Sequence, residues 1–313
     1  MRFASYNLLD WTGTPTMQVE GERQQRVVDT IVALRADVLA VQELKGPARE
    51  AGRLAAQLGQ RVGMTSLVET TVDGPVQAVA AGDNTLHVAV LWRPGSVTAV
   101  PGTLRRFGGG QSADPVWRGP GWGTLVRVGL DVGGRTVMVG SYHAPVFGRE
   151  RRVDQAETVL GAMTRPAGPV LLGSDSNTVG AARRPGGGDF FDPDPYADRE
   201  WFADLVHQCR WETDADGRRW HWADRRPAEV WELGGLHDTA VRSPVWQATT
   251  GHWPTCDYGR RGIARRIDTI HASTHVFDAV TRHAVFDTPL ARAASDHLPV
   301  FVDIDLTQVT DGR

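Results

Sequence analysis

What most restricts the fold of this chain is a recurring pattern. A short apolar run with the character of a buried strand ends on a side chain able to ionise or to bind a hard cation. Phe3–Leu9 carries Asn7, Val38–Val41 leads to Glu43, the run 137–142 leads to His143, and Val170–Leu172 leads to Asp175. Leu86–Trp92, Leu125–Val132, Arg135–Tyr142, Arg266–His271 and Pro299–Ile304 also read as strands, with Gly133-Gly134 as a two-residue hairpin turn. Helical stretches lie between them. Gln24–Leu34 places Val27, Val28, Ile31 and Leu34 on one face, Pro47 opens a helix through Leu54 and Leu58, and Glu150–Met163 is helical. Mixed strands, hairpins and interleaved helices predict an α/β sandwich, two packed sheets with helices outside.

Composition narrows the class. At 313 residues, with 41% hydrophobic and 23% charged residues, the chain has enough apolar material for a globular core. Disordered, collagen-like and coiled-coil chains are excluded. No apolar run reaches the roughly 18–20 residues of a membrane span, and no secretory signal pattern is expected. The formal net charge of −3 argues against a protein that coats nucleic acid by charge alone. Lys45 is the only lysine, so arginine supplies nearly all positive charge, a bias that GC-rich coding explains as readily as phosphate recognition. Two cysteines, Cys209 and Cys256, make neither a disulfide framework nor a zinc site, which suggests a reducing cytoplasm.

The chemistry-bearing residues sit at strand ends: Asn7, Glu43, His143, Asp175, Asn177, Asp268, Asp296 and His297. Singly, each reads as a cap, a turn residue or an ordinary histidine. As a set, Asn, Glu and Asp oxygens suit a hard cation such as Mg²⁺, and two histidines with free carboxylates supply acid–base groups. No P-loop, nucleophile elbow or Cys/His zinc cluster is present in the sequence.

Ordered anchors carry a resemblance. They are Ser-Tyr-Asn-Leu at 5–8, Val-Gln-Glu at 41–43, Leu-Trp-Arg-Pro at 91–94, Trp-Arg-Gly-Pro at 117–120, Tyr-His-Ala-Pro at 142–145, Gly-Ser-Asp-Ser-Asn at 173–177, Arg-Ile-Asp at 266–268 and Ser-Asp-His-Leu-Pro at 295–299. In this order they resemble the endonuclease/exonuclease/phosphatase superfamily, which includes pancreatic-type deoxyribonuclease. The resemblance covers most of the chain and implies one domain over residues 1–313. It implies a four-layer sandwich of two packed mixed β-sheets flanked by helices, and a divalent-metal phosphoesterase using Mg²⁺ or Mn²⁺. Carried over by residue, Glu43 is the principal metal ligand with Asn7 and Asp296 nearby. His297 is the general base, oriented by Asp268. Asp175 and Asn177 position water and a phosphate oxygen, His143 stabilises phosphoryl oxygens or protonates the leaving group, and Arg118 contacts a neighbouring phosphate.

Two departures stand out. Gly-Ser-Asp-Ser-Asn carries one residue more than the common Gly-Asp-Phe-Asn, and Ser176 replaces its apolar residue. Leu86 stands where deoxyribonuclease has a glutamate supporting its first histidine, so His143 is expected to lack a carboxylate partner. An insertion at about 180–265 holds seven of the eleven tryptophans and many arginines. It reads as a satellite core, as stacking platforms for nucleobases, or as a lid. The substrate expected is nucleic acid, most simply for a nuclease. A small phosphorylated metabolite is the alternative, and a catalytically silent binding protein the second. No membrane or protein partner is expected.

Overall fold

The computed structural model describes residues 1–82, 85–108, 123–165, 168–253 and 262–310. The first half runs β1 (Arg2–Trp11), α1 (Gln18–Leu34), β2 (Val38–Lys45), α2 (Ala51–Val62), β3 (Leu67–Thr71), β4 (Gly74–Gln77), β5 (Val79–Ala80), β6 (Leu86–Trp92), β7 (Val97–Ala99) and β8 (Arg105–Phe107). Then come β9 (Thr124–Val132), β10 (Arg135–His143), α3 (Arg149–Thr164), β11 (Val170–Asp175), β12 (Cys209–Thr213), β13 (Arg219–Ala223), α4 (Arg226–Leu233) and β14 (Leu236–Asp238). The chain closes through β15 (Asp268–Ser273), α5 (Thr274–Phe277), β16 (Val280–Val285), α6 (Pro289–Ala294) and β17 (Val300–Ile304).

Two mixed sheets carry the fold. One has the order β16-β17-β1-β2-β6-β5, the other β14-β15-β11-β10-β9-β7, with β8 also on β9. The pairs β1–β2 and β10–β11 are parallel, and the others along these paths are antiparallel. Alternation along β2 explains why its sequence is apolar throughout. Val38 and Ala40 enter a core between the sheets, while Leu39 and Val41 enter a second core beneath the helices. In that outer core, Val27, Ile31 and Leu34 of α1 and Leu54 and Leu58 of α2 cover the first sheet. Across the molecule, Ala156, Val159 and Met163 of α3 and Trp231 of α4 cover the second. Helix, sheet, sheet and helix make the four layers.

The Gly133-Gly134 hairpin forms as expected, with positive φ at both residues (63° and 83°), the geometry of a type I′ turn that glycine adopts without strain. Helix α1 starts at Gln18, a turn and a half before the apolar pattern begins. Residues 18–23 carry no buried apolar side chain, and paired polar groups such as Glu20 and Arg23 hold that turn instead. Asn7 does not end its strand. Leu9 and Asp10 take left-handed backbone (φ 51° and 55°), pairing jumps from Asn7–Gln42 to Trp11–Leu44, and the strand continues past the bulge. Arg266 and Ile267 precede β15 rather than opening it.

The insertion is partly core. Val179, Tyr196, Leu205, Cys209, Ala223 and Ile263 form a satellite cluster, against which Trp201 packs. Trp231 and Trp253 enter the helix-side and central cores. Trp220, on the β12–β13 hairpin, stays 51% exposed. Cys256 lies outside the described residues.

Burial pushes His271 and His283 down to about 4, so both are neutral in the folded protein at pH 7. Their folded values lie below the unfolded value near 6.5, so the unfolded chain takes up protons first as pH falls. Stability is lost between about pH 6.5 and 4, by an amount on the order of a few kcal/mol for the pair. Urea unfolding at pH 7 and pH 5 is expected to show that loss. Both ring nitrogens of His271 are buried without a hydrogen bond among the described residues, so His271→Met should flatten the dependence. Equal midpoints at both pH values for the wild type would contradict the assignment.

Candidate active site

The site forms where the ends of the central strands meet across the two sheets. In the second sheet, register aligns His143 with Asp175 and Asp175 with Asp268, so three adjacent strands present these side chains in a row. In the first sheet, Asn7 pairs with Gln42, and Glu43 follows. The sheets approach closely just below. A Cβ on Gly173 would lie 2.7 Å from that of Ala40 and 2.9 Å from that of Ser5, so this position tolerates only glycine. Gln42 bridges the gap, donating to Ser5 Oγ (3.3 Å) and Ser141 Oγ (3.1 Å). Ser141 Oγ donates back to the Val41 carbonyl at 2.8 Å.

Above that contact the polar groups converge. Asn7 Nδ2 donates 2.9 Å hydrogen bonds to both Glu43 Oε1 and Asp175 Oδ2. Asn7 Oδ1 accepts the Leu9 N–H at 3.1 Å, so here Asn7 braces two carboxylates through its nitrogen. Glu43 sits at φ 64°, a region costly for a residue with a side chain, and Glu43 Oε2 accepts the Asp10 N–H at 3.2 Å. His143 Nε2 lies 3.8 Å from Glu43 Oε1 and 3.6 Å from Asp175 Oδ2, too far for a hydrogen bond. That nitrogen is buried and has no hydrogen-bond partner among the described residues. The ligand atoms of Glu43, His143 and Asp175 lie within 4.8 Å of one another.

Asp175 belongs to a second such cluster, with Asp268 and His297. His297 Nδ1 meets Asp268 Oδ1 and Oδ2 at 3.0 and 2.8 Å, while His297 Nε2 points towards Asp175 Oδ2, 3.9 Å away. Burial alone would depress the His297 pKa. The charges of Asp268, Asp175 and Asp296, with the Asp268 hydrogen bond, outweigh burial and hold it well above the ordinary value. Asp296 falls in neither cluster, although its charge bears on His297. Arg118 lies outside the described residues.

The unusual Gly-Ser-Asp-Ser-Asn segment has a physical account. Gly173 permits the sheet contact. Ser174 Oγ pairs with Thr269 Oγ1 at 2.8 Å, and Ser176 Oγ donates to the Ile267 carbonyl at 2.7 Å. Asn177 takes φ 46°, and Asn177 Nδ2 donates to the Ala144 carbonyl at 2.9 Å. Leu86 opens β6 opposite Lys45, and no carboxylate hydrogen-bonds to His143 among the described residues.

Some supporting residues were given no role by the sequence. Thr249 Oγ1 accepts the N–H groups of Ile267 and Asp268 at 3.2 Å each, and the Thr249 carbonyl accepts the Leu298 N–H at 2.8 Å. Thr250 Oγ1 donates to the Asp296 carbonyl at 2.7 Å. This threonine pair, at the far end of the insertion, joins the segments bearing Asp268 and His297. Arg266 is fully buried between Asp192 and Asp238, with Nε donating to Asp192 Oδ1 at 2.8 Å. Its buried partners lie 28 and 74 residues away, which spacing alone does not reveal.

Replacing Asp268 by Asn removes the nearest charge on His297. In metal-free protein the His297 pKa should then fall, read by NMR titration of the imidazole nitrogens. An unchanged titration would show that Asp268 does not hold the proton on His297.

The residues present fit a hard divalent cation. Carboxylate oxygens from both sheets face each other, and a buried imidazole nitrogen with no partner among the described residues lies close to them. Comparison by sequence, with protein-family models and with curated proteins, gives no match. Comparison of structures does. An endonuclease/exonuclease/phosphatase family protein from Bacteroides thetaiotaomicron superposes with a TM-score of 0.62 at 17% identity, covering 99% of this chain and 97% of the other. A mannosyl-6-phosphatase from the same organism gives 0.58 at 16% identity, covering 98% of this chain and all of that one. An AP endonuclease from Archaeoglobus fulgidus gives the same score, identity and coverage. At these identities the likeness establishes architecture, and the chain has the fold of the endonuclease/exonuclease/phosphatase superfamily.

Proposed function

We propose that the protein is a divalent-metal phosphoesterase that hydrolyses phosphodiester bonds by attack of water, most simply a nuclease. The observation that carries this reading is the shared position of Asp175, which joins the Glu43–His143 group to the Asp268–His297 pair. A group able to hold a cation and a buried acid–base pair thereby share one carboxylate. The superposed structures, which include an endonuclease and a phosphatase, support the class. The whole chain is read as one domain, since the sheets share a central core.

Glu43 would be the principal ligand, with Asn7 and Asp296 nearby. Bound Mg²⁺, or Mn²⁺, would supply positive charge to the phosphoryl oxygens and a template for the substrate. His297, held at Nδ1 by Asp268, would present Nε2 as the base that takes a proton from the attacking water in its neutral form, which the charge of a cation among the carboxylates would favour. Asp175 and Asn177 orient that water and a phosphate oxygen. His143 Nε2 donates to a non-bridging oxygen or to the leaving group. Arg118 contacts a neighbouring phosphate. Among the described residues no helix is long and apolar enough to cross a membrane, and the cysteine usage fits a cytoplasmic enzyme. A small phosphorylated metabolite is the second reading, favoured by the net charge of −3, which gives little general attraction for a polyanion.

The test is incubation with plasmid, single-stranded DNA, RNA and a panel of phosphorylated small molecules. Hydrolysis should require Mg²⁺ and stop with a chelator. His297→Ala should lower kcat by about 10²–10⁴-fold, and Glu43→Ala should move the Mg²⁺ titration to higher concentration. Cleavage confined to small molecules would remove the nuclease reading. Equal inactivity of wild type and His297→Ala on every phosphoester would favour the silent binding protein.

A further inference from the structure

Away from the carboxylate–histidine groups, the insertion forms an open cavity of about 700 Å³. That is the size of a small-molecule site. Arg184 and Phe190 come from the loop after Gly180, Arg210 and Trp222 from the β12–β13 hairpin, and Arg225 and Trp246 from either side of α4.

The hydrogen-bonding capacity of this lining is uneven. Of its four acidic side chains, two are engaged. Asp192 accepts from Arg266 and from Trp246 Nε1 (2.7 Å), and Asp194 accepts the N–H groups of Tyr196 (2.9 Å) and Ala223 (2.8 Å). Arg226 is held by Asp224 and Glu150. Arg225 binds the carbonyls of Gly180 and Asp192, with its guanidinium 4.3 Å from the Phe190 ring centroid. Arg184 and Arg210 differ. Neither forms an ion pair among the described residues, although Asp189 and Glu229 share the wall. The Arg210 guanidinium lies 5.7 Å from the Trp222 centroid, and Arg184 has one long bond to the Phe191 carbonyl (3.4 Å). Guanidinium forks with unused donors, beside Trp222 and Phe190, suit a planar ring that carries an oxyanion.

The cavity is tied to the candidate active site. Thr178, next to Asn177, donates through Oγ1 to the Asp224 carbonyl at 2.7 Å. Trp246 lies three residues before Thr249, which receives the Asp268 N–H.

We propose that this cavity is a subsite for a nucleotide unit, its base against Trp222 and its phosphate on Arg184 and Arg210. As part of a substrate site it rests on the phosphoesterase reading. The binding itself does not.

The test is calorimetry on the full chain, without metal and with chelator present, so that no turnover is needed. Adenosine monophosphate is expected to bind, with adenosine and ribose phosphate each weaker by about tenfold or more, since base stacking and phosphate contacts each contribute that much. Trp222→Leu and the exposed pair Arg184→Gln/Arg210→Gln should each weaken it similarly, with circular dichroism confirming that the variants fold. Glu43→Gln should bind it as the wild type does. A dinucleotide that binds more tightly would support a strand as the source, and equal binding a single nucleotide. The proposal is overturned by no binding, by ribose phosphate binding equally well, or by loss in Glu43→Gln but not in the cavity variants. Failed hydrolysis with intact nucleotide binding would overturn the phosphoesterase reading alone.

Discussion

Everything at the candidate active site depends on how closely the two sheets pack beside it. At Gly173 they come within a distance that leaves no room for a side chain, with Ala40 and Ser5 on the facing sheet. Only small residues permit this, and Gln42 and Ser141 fill the remaining space with hydrogen bonds. The consequence lies one step further along the strands. Asn7 of one sheet can then touch Glu43 beside it and Asp175 of the other with a single amide group. A larger residue at 173 would force the sheets apart and separate the carboxylates that Asn7 now joins.

Drawing those carboxylates together has an electrostatic cost, because buried like charges repel and each is poorly hydrated. The structure offsets it in two ways. The Asn7 amide lies between Glu43 and Asp175, and His297 faces Asp268, Asp175 and Asp296 with a raised affinity for its proton. His143 stays near two carboxylates without bonding either. Such an arrangement suits a cation and keeps carboxylates and imidazoles in fixed relation, which the proposed metal-assisted attack on a phosphoester would use. Backbone strain at Glu43 and Asn177 is consistent with that demand, since left-handed backbone at residues with side chains persists where surrounding contacts over-determine it.

The insertion serves two ends. Its apolar residues build a satellite core, and its Thr249-Thr250 pair fastens the segments that carry Asp268 and His297. Arg266, locked between Asp192 and Asp238, ties the loop after β11 to the strand that begins at Asp268. Removing one member of such a buried group leaves unpaired charge and typically costs about 3–5 kcal/mol. The tryptophans are divided accordingly: some are interior, while Trp222 and Trp246 line the cavity.

By itself the sequence determined the layers and named the candidates for the site. Apolar runs covered on both faces announce buried strands, a period of three to four announces the covering helices, and Gly-Gly announces its hairpin, because these are local consequences of backbone geometry. The strand-end positions of His143, Asp175 and Asp268 were legible for the same reason, whereas Glu43 lies inside β2 and His297 in the loop before β17, and the ordered motifs grouped all five. Three matters were decided only in three dimensions. Asn7 sits before a bulge rather than at a strand end, because left-handed backbone at Leu9 and Asp10 has no clear signal in those residue types. The extra residue in Gly-Ser-Asp-Ser-Asn is absorbed because Gly173 meets the opposite sheet and Ser176 bonds to Ile267, partners remote in the chain. The roles of Thr249 and Arg266 stayed hidden because a hydrogen bond to a distant segment leaves no periodic trace. Local patterns specify which surface of an element is buried, but only packing specifies what it meets.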